Sequence, residues 1–460
     1  MEAATRAVRE PGWAAPRYRG GMAGVQGPRT FDAFTGRYAQ RTAGMTASEI
    51  RALFAVASRP EVVSLAGGMP YTSALPLDAV GKLMSDLLAT RGAQALQYGS
   101  GQGDPVLREQ ICQIMALEGI LGSPDDVTVT VGSQQALDLV TRIFIDPGDV
   151  VLAEAPSYVG ALGTFASYQA EVVHVAMDEH GLVPEALRAA LAWVGNRVKF
   201  LYTIPNFHNP AGTSLSDARR DEVLAICMAA GLLVLEDNPY GLLGFEGPPT
   251  PAIRARGSSS DGNDHVIYLG SFSKTFAPGL RVGWVLAPHA VREKLVLASE
   301  ASVLCPPALN QLVVTEYLQT QDWQGQIEVF KQIYQERRDT MLSSLAALMP
   351  AGTTWTRPTG GFYVWTTLPD GLDAKIMQPR AITARVAYVP GVGFYSDGQG
   401  SRELRLSYCF PEPARIAEGV RRLAGVVEAE LELLDTFGPT RTPRNARRPG
   451  NATTPSPGLA

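Results

Sequence analysis

Cysteine is scarce in this chain. There are four among 460 residues, Cys112, Cys227, Cys305 and Cys409, far apart and without a C-x-x-C pair. That spacing argues against a disulfide framework and against a zinc site, and it leaves buried free thiols as the expectation. No uninterrupted apolar run approaches the roughly 18 residues that a membrane span requires, and Met1 to Trp13 lacks the apolar stretch that directs secretion. A cytoplasmic protein with no membrane contact is therefore expected. An excess of positive charge is missing too: 40 Lys and Arg against 45 Asp and Glu give a net charge of -5. With no basic stripe outside Arg441 to Arg448, nucleic acid is not an expected partner.

What the chain does have is apolar content, 45%, over a length that can bury a large core and divide into more than one lobe. About 40 residues at the front and about 20 at the back are rich in Gly, Pro, Arg, Thr and Asn without periodicity, and read as arms. Between them, β-branched runs recur: Val127 to Val131, Asp149 to Ala153, Glu171 to Val175, Lys199 to Thr203, Leu232 to Glu236, Val266 to Leu269 and Val282 to Leu286. Several are apolar on both faces and alternate with helical segments such as Ala136 to Phe144 and Asp217 to Ala230, the pattern of a mainly parallel sheet of roughly seven strands under helices. The short connection between the last two runs allows an antiparallel strand among them. After Pro306 the pattern changes to long helices. Gln326 to Ala347 carries Ile327, Phe330, Tyr334, Met341 and Leu345 on one face, and Gly361 to Trp365 and Glu403 to Tyr408 read as strands of a smaller α+β lobe. Met45 to Val56 reads as an amphipathic helix joining that lobe. The expected organisation is an arm over 1–45, partly disordered, part of the small domain over 46–95, the large domain over 96–325, the rest of the small domain over 326–436 and a disordered tail over 437–460.

In open α/β sheets ligands gather beyond the carboxyl ends of the strands, and the residues there form a set. Gly132-Ser133-Gln134-Gln135 opens a helix, where free N–H groups and the positive end of the dipole suit a phosphate. Tyr158 offers a ring on which a planar cofactor can stack. Asn209, in Asn206-Phe207-His208-Asn209-Pro210-Ala211-Gly212, offers an amide held by a proline turn. Asp237, in Asp237-Asn238-Pro239-Tyr240, is a carboxylate whose burial calls for a cation, and a protonated pyridine nitrogen is such a cation. Lys274, in Ser271-Phe272-Ser273-Lys274, is an amine that burial can turn into a nucleophile toward a carbonyl, beside the hydroxyls and the Arg281 guanidinium that a dianion needs. Each has an ordinary explanation alone: a helix cap, a rim aromatic, a turn, a turn cap, a solvated lysine. Their arrival at successive strand ends is what points to chemistry.

On these motifs, N-P-x-G at Asn209 to Gly212, D-x-x-Y at Asp237 to Tyr240, S-x-S-K at Ser271 to Lys274 and R-x-G-W at Arg281 to Trp284, the sequence resembles the fold type I pyridoxal-phosphate enzymes, specifically the class I/II aminotransferases, over about residues 46 to 430. The resemblance implies an aspartate aminotransferase-like three-layer α/β fold, pyridoxal 5'-phosphate as cofactor and no metal. It also implies a homodimer with shared active sites that acts on an amino acid and a 2-oxo acid. It places the Schiff base on Lys274, the ring nitrogen on Asp237, the ring oxygen on Asn209 and Tyr240, and the ring face on Tyr158. The phosphate falls to Ser133, Gln134, Ser271, Ser273 and Arg281, with Tyr98 reaching the neighbouring subunit's phosphate. Arg405, in Leu404-Arg405-Leu406-Ser407, matches the arginine that takes the substrate α-carboxylate, for which its planar fork is suited, together with Asn209 and Gly68.

The implied reaction is a two-stage transfer in which Lys274 is displaced by the substrate amine and then moves the Cα proton. Ala47 to Arg51, Arg59-Pro60 and Leu65 to Pro70 resemble the 2-aminoadipate and kynurenine aminotransferase branch, in part of which the arginine matching Arg51 pairs with a distal carboxylate. His208 departs from that branch, so side-chain preference among 2-aminoadipate, aromatic, branched and phenylglycine-type substrates stays open. A lyase or decarboxylase on the same scaffold is the alternative. A MocR-type regulator is a further one, disfavoured because the segment before the core is short for a winged-helix domain.

Overall fold

The runs that are apolar on both faces form the centre of the larger sheet, and their alternation explains why. In the strand Val150–Ala155, Val150 and Leu152 enter one core cluster while Val151 and Ala153 enter the other. With a side-chain period of two, such a strand needs helices over both faces. The computed structural model describes residues 34, 36–45, 59–256 and 264–438. Apart from Met45, the helix expected over 45–56 lies outside the described residues, and Arg51 with it. So do most of the expected arm and all but the first residues of the expected tail. Before Gly44 the described residues carry a short 3-10 turn, Gln40–Gly44.

Among the described residues fourteen strands follow, in chain order β1 Val63–Ser64, β2 Val127–Thr130, β3 Val150–Ala155, β4 Glu171–Asp178, β5 Gly181–Leu182, β6 Val198–Thr203, β7 Leu233–Asp237, β8 Val266–Ser271, β9 Gly283–Leu286, β10 Thr354–Trp355, β11 Tyr363–Thr367, β12 Val386–Ala387, β13 Val389–Pro390 and β14 Glu403–Ser407. The large sheet has the order β2-β9-β8-β7-β6-β3-β4-β5. Its centre is parallel, β4-β3-β6-β7-β8, and β9 is antiparallel to both β8 and β2, the mixed strand that the short connection allowed. The sheet has eight strands rather than seven. The extra one, β5, is a two-residue edge strand turned back on β4 through Gly181 at φ +88°, too short to leave a periodicity. Helices Ser133–Phe144, Val159–Ser167 and His289–Val303 lie over one face, and Pro184–Val194 and Asp217–Ala229 over the other.

The smaller lobe is built on an antiparallel sheet, β10-β11-β14-β13, and a short parallel pair in which Val63 meets Val386. Its long helix Trp323–Leu348 starts on Asp322, whose carboxylate accepts the Gly325 N–H at 2.9 Å, a cap that supplies one of the acceptors the helix end lacks. Ile327, Phe330, Tyr334, Met341 and Leu345 are buried as their spacing requires, each worth about 1.5–3 kcal/mol on the transfer scale. These side chains share one cluster with Val127, Val129, Tyr268 and Trp284 of the large sheet, so the lobes meet through a continuous core. The lobe boundary expected at 325/326 falls inside this helix. All four cysteines are free; Cys227 and Cys409 are buried, Cys112 and Cys305 half-buried. No helix among the described residues is long and apolar enough to cross a membrane.

Candidate active site

Because β2, β3, β6, β7 and β8 point the same way, Thr130, Ala155, Thr203, Asp237 and Ser271 end on one edge of the sheet. The loops beyond them enclose a cavity of about 210 Å³ lined by Gly68, Ser133, Tyr158, Asn209, Asp237, Tyr240, Ser271, Ser273, Lys274 and Arg405, with Met69, Ile204, Pro239 and Tyr363.

Lys274 reaches it from a turn pinned on both sides. Phe272 packs on Trp284 with ring centroids 5.0 Å apart, and Phe276 stacks on Tyr317 at 3.8 Å. Gly270 leaves room for Trp284, which a β-carbon would approach to 2.1 Å. With both phenylalanines inward, the amine between them is directed at the cavity, where Nζ donates to the Gly68 carbonyl at 3.0 Å. Burial pushes the amine down to about 8, assisted by Arg405 and Arg281 and opposed by Cys409 and Asp237.

Asp237 ends β7 with 3% of its surface exposed. Its Oδ2 accepts from the Tyr202 hydroxyl at 2.8 Å, while Oδ1 is buried without a partner. Burial pushes its carboxyl up to about 6, with Tyr202, His208 and Lys274 pulling the other way. An unpartnered buried carboxylate oxygen costs free energy unless a donor meets it. His208 sits beyond, its Nε2 3.1 Å from Glu154 Oε2 and its Nδ1 accepting the Ala211 N–H at 3.2 Å.

Arg405 is buried on β14, 1% exposed. One Nη donates to Asn209 Oδ1 and the other to the Ala66 carbonyl, both at 2.8 Å, while Nε has no partner. The guanidinium lies 4.2 Å from the Tyr363 ring centroid and 5.1 Å from that of Phe394. No carboxylate within the described residues pairs with it, so a buried cation is left facing the cavity. Since its Oδ1 serves Arg405, the Asn209 amide has its Nδ2 free to donate. The Tyr240 hydroxyl, buried, is turned toward that of Tyr363.

At the other end, Ser133 opens its helix behind Gly132, φ +74°. A β-carbon at Gly132 would stand 2.4 Å from an Arg281 nitrogen, and one at Gly283 would stand 2.6 Å from the Gly132 carbonyl carbon. These two glycines let the guanidinium lie against the helix end, where it donates to Ser273 Oγ at 3.2 Å. Ser271 Oγ accepts the Ser273 N–H at 3.0 Å and so shapes the turn. The Gln134 side chain turns away from this end: its amide donates to Thr164 Oγ1 at 2.8 Å and to the Gly160 carbonyl at 3.2 Å, and its oxygen lies 3.4 Å from the Tyr158 hydroxyl. Of Gln134 only the backbone N–H is left for an anion, and the side chain positions Tyr158 instead. Tyr98 does not line the cavity; it is 77% exposed.

Sequence reasoning missed Tyr202 and Tyr363. Each reads as an ordinary strand aromatic, and only the register of β6 with β7 and of β11 with β14 brings them to Asp237 and Arg405. Tyr363 explains Gly68: a β-carbon there would lie 1.9 Å from its hydroxyl oxygen. Since Tyr363 is 2% exposed, it has little room to yield. Gly68→Ala is expected to lower stability by about 1–3 kcal/mol, read as a drop in the thermal unfolding midpoint.

The donor set fits a pyridoxal phosphate. It offers an amine near 8, an unpartnered carboxylate oxygen for a pyridinium N–H, two donors for a ring oxygen, a helix end with an arginine for a dianion, and a second arginine for a carboxylate.

Residues 60–423 match the family described as aminotransferase class I and II. The aromatic-amino-acid aminotransferase 1 of Thermococcus litoralis is 39% identical over 400 residues, covering 86% of this chain and 95% of that protein. The kynurenine aminotransferase of Pyrococcus horikoshii, solved with PMP, superposes with a TM-score of 0.82 at 36% identity over 87% of this chain and 99% of that one. LysN, the α-aminoadipate aminotransferase of Thermus thermophilus, solved with N-(5'-phosphopyridoxyl)-L-leucine, gives 0.81 at 36% identity over 87% and 100%.

Proposed function

The chain belongs to the class I and II aminotransferases and uses pyridoxal phosphate, and from that membership we propose that it moves the amino group of an aromatic, 2-aminoadipate-type or branched L-amino acid to a 2-oxo acid such as 2-oxoglutarate by a ping-pong sequence. The observation that carries this reading is the convergence on one cavity of Lys274, the unpartnered Oδ1 of Asp237 and the uncompensated Arg405. The cofactor supplies an aldehyde for an amine and a ring that withdraws electrons from the substrate Cα.

The remaining work falls to the chain. Arg405 takes the α-carboxylate bidentately and, with the Asn209 side chain fixed against it, sets the orientation of the Cα–H bond. Lys274 Nζ would accept that proton and return it, a task suited to an amine brought down to about 8. Asp237 would hold a proton on the ring nitrogen, Asn209 Nδ2 and the Tyr240 hydroxyl would hold the ring oxygen, Tyr158 would cover the ring, and Ser133, Ser273 and Arg281 would hold the phosphate. The apolar and aromatic lining of Met69, Ile204, Tyr158 and Tyr363 supports aromatic or aliphatic side chains. Similarity to proteins named for aromatic amino acids, kynurenine and α-aminoadipate supports the same range. We further propose a cytoplasmic homodimer, supported by the exposure of Tyr98 and Leu96 on one surface turn.

A panel of amino donors with 2-oxoglutarate tests the reading. Equimolar glutamate and 2-oxo acid with parallel double-reciprocal plots are expected; ammonia or carbon dioxide in their place would assign the site to a lyase or decarboxylase.

A further inference from the structure

The segment Asp237-Asn238-Pro239-Tyr240-Gly241 carries two of the residues set against the cofactor ring, yet its backbone has few means of holding itself. The Asn238 N–H donates to the Leu269 carbonyl at 3.0 Å, the last ladder bond of β7, and Pro239 has no N–H to offer. What fixes the segment lies outside the lining of the Lys274 cavity. Asn238 is 5% exposed; its amide donates to Glu118 Oε1 at 2.6 Å, and its oxygen accepts from Asn206 Nδ2 at 3.0 Å. Glu118, just beyond the helix Pro105–Ala116 and 3% exposed, takes the Tyr268 hydroxyl on its other oxygen at 2.8 Å. The same carboxylate fills the space beside Gly241, where a β-carbon would lie 1.9 Å from Oε1. One buried group thus touches the segment next to Asp237 and next to Tyr240. The contact continues outward, because Asn206 Oδ1 accepts from Arg220 at 2.5 Å and Arg220 also binds the Pro205 and Leu215 carbonyls. That ties down the loop on which Asn209 sits.

We infer that Glu118 is a positioning residue for the reaction: through Asn238, Gly241 and Asn206 it sets the placement of Asp237, Tyr240 and Asn209 relative to the ring, without itself reaching the cavity. The inference rests on the reading that these three residues hold the cofactor. A fully paired buried network specifies one geometry, and removing a member leaves its partners unsatisfied. Displacement by even about 1 Å at a reacting group can cost on the order of 10²-fold in rate. Arg405 keeps a second anchor outside this network, the Ala66 carbonyl, so substrate capture is affected less than turnover.

The test compares the wild type, Glu118→Ala and Glu118→Gln as holoenzymes, following the pH titration of the absorbance of the Lys274-bound cofactor, kcat and KM separately, and the thermal midpoint. Glu118→Ala is expected to lower kcat at least about tenfold with little change in KM. It should also move the titration midpoint upward, because a less firmly held positive charge on the ring nitrogen opposes protonation of the Schiff-base nitrogen less. Glu118→Gln can accept from Asn238 and donate to Tyr268, and should restore both quantities to near the wild-type values. A Glu118→Ala protein that melts earlier but keeps the wild-type titration and kcat has lost only structure, and that result overturns the inference; so does a glutamine variant as impaired as the alanine one. If the alanine protein does not fold, Asn206→Ala substitutes for it: an upward midpoint supports the inference and an unchanged one rejects it. Failure of the underlying reading looks different, since Asp237→Ala itself would then leave the wild-type titration unchanged.

Discussion

Lys274→Ala is expected to reduce transamination by at least about 10⁴-fold, because it removes both the nucleophile and the proton carrier from one site. No other amine is in a position to substitute among the residues that line the cavity. The side chain is also tuned for the task. An amine at its ordinary value of 10.5 is neutral in about one molecule in three thousand at pH 7, whereas at about 8 the fraction is about one in ten. Burial favours the uncharged form, so the effect has a definite direction: the rate at which the cofactor-free protein binds pyridoxal phosphate covalently should rise about tenfold per pH unit up to about pH 8 and level off above it. Stopped-flow absorbance across this range checks it. A plateau reached only above pH 10 would mean that the amine is solvated and the cavity open around it.

Arg405→Ala is expected to cost about 10³-fold in kcat/KM for the amino acid, corresponding to the roughly 2–5 kcal/mol lost when one partner of a buried charge pair is removed. The present geometry explains the size. The guanidinium is 1% exposed, its Nε lacks a partner, and it lines the cavity over Tyr363 and beside Asn209. Arg405→Lys keeps the charge but replaces the fork by a point donor, and should recover only part of the loss. In both variants the absorbance of the bound cofactor should survive, since Asp237, Lys274 and the Ser133 helix end are untouched. Steady-state kinetics with an aromatic donor would measure the change; kcat/KM within threefold of the wild type in Arg405→Ala would remove this residue from carboxylate recognition.

The legible part of the molecule was the part where a single residue type is demanded locally. A strand buried on both faces has to be apolar throughout, so β3, β6, β7 and β8 are visible as runs. A loop that meets a carbonyl, a pyridinium and a phosphate has to carry an amine, a carboxylate and small polar groups, so Lys274, Asp237 and Ser133 stand out at strand ends. What supports those groups is not demanded locally. Tyr202, Tyr363 and Glu118 reach Asp237, Arg405 and Asn238 through strand register and helix packing across long sequence separations, and their own neighbourhoods contain nothing unusual. Gln134 is legible by half: its place at a helix start suggests an anion contact, for which its backbone N–H is left, while its side chain turns to Thr164 and Gly160 of the adjacent helix Val159–Ser167. The edge strand Gly181–Leu182 and the pairing of Val63 with Val386 are too short for any periodicity to mark.

Every role assigned to the cavity depends on a covalent bond between pyridoxal phosphate and the Lys274 nitrogen, which borohydride reduction of the reconstituted wild-type protein followed by peptide mapping would locate. One phosphopyridoxyl group per chain is expected, carried on the peptide that contains Ser273-Lys274-Thr275. A label on any other lysine, or none after incubation with excess cofactor, would contradict it.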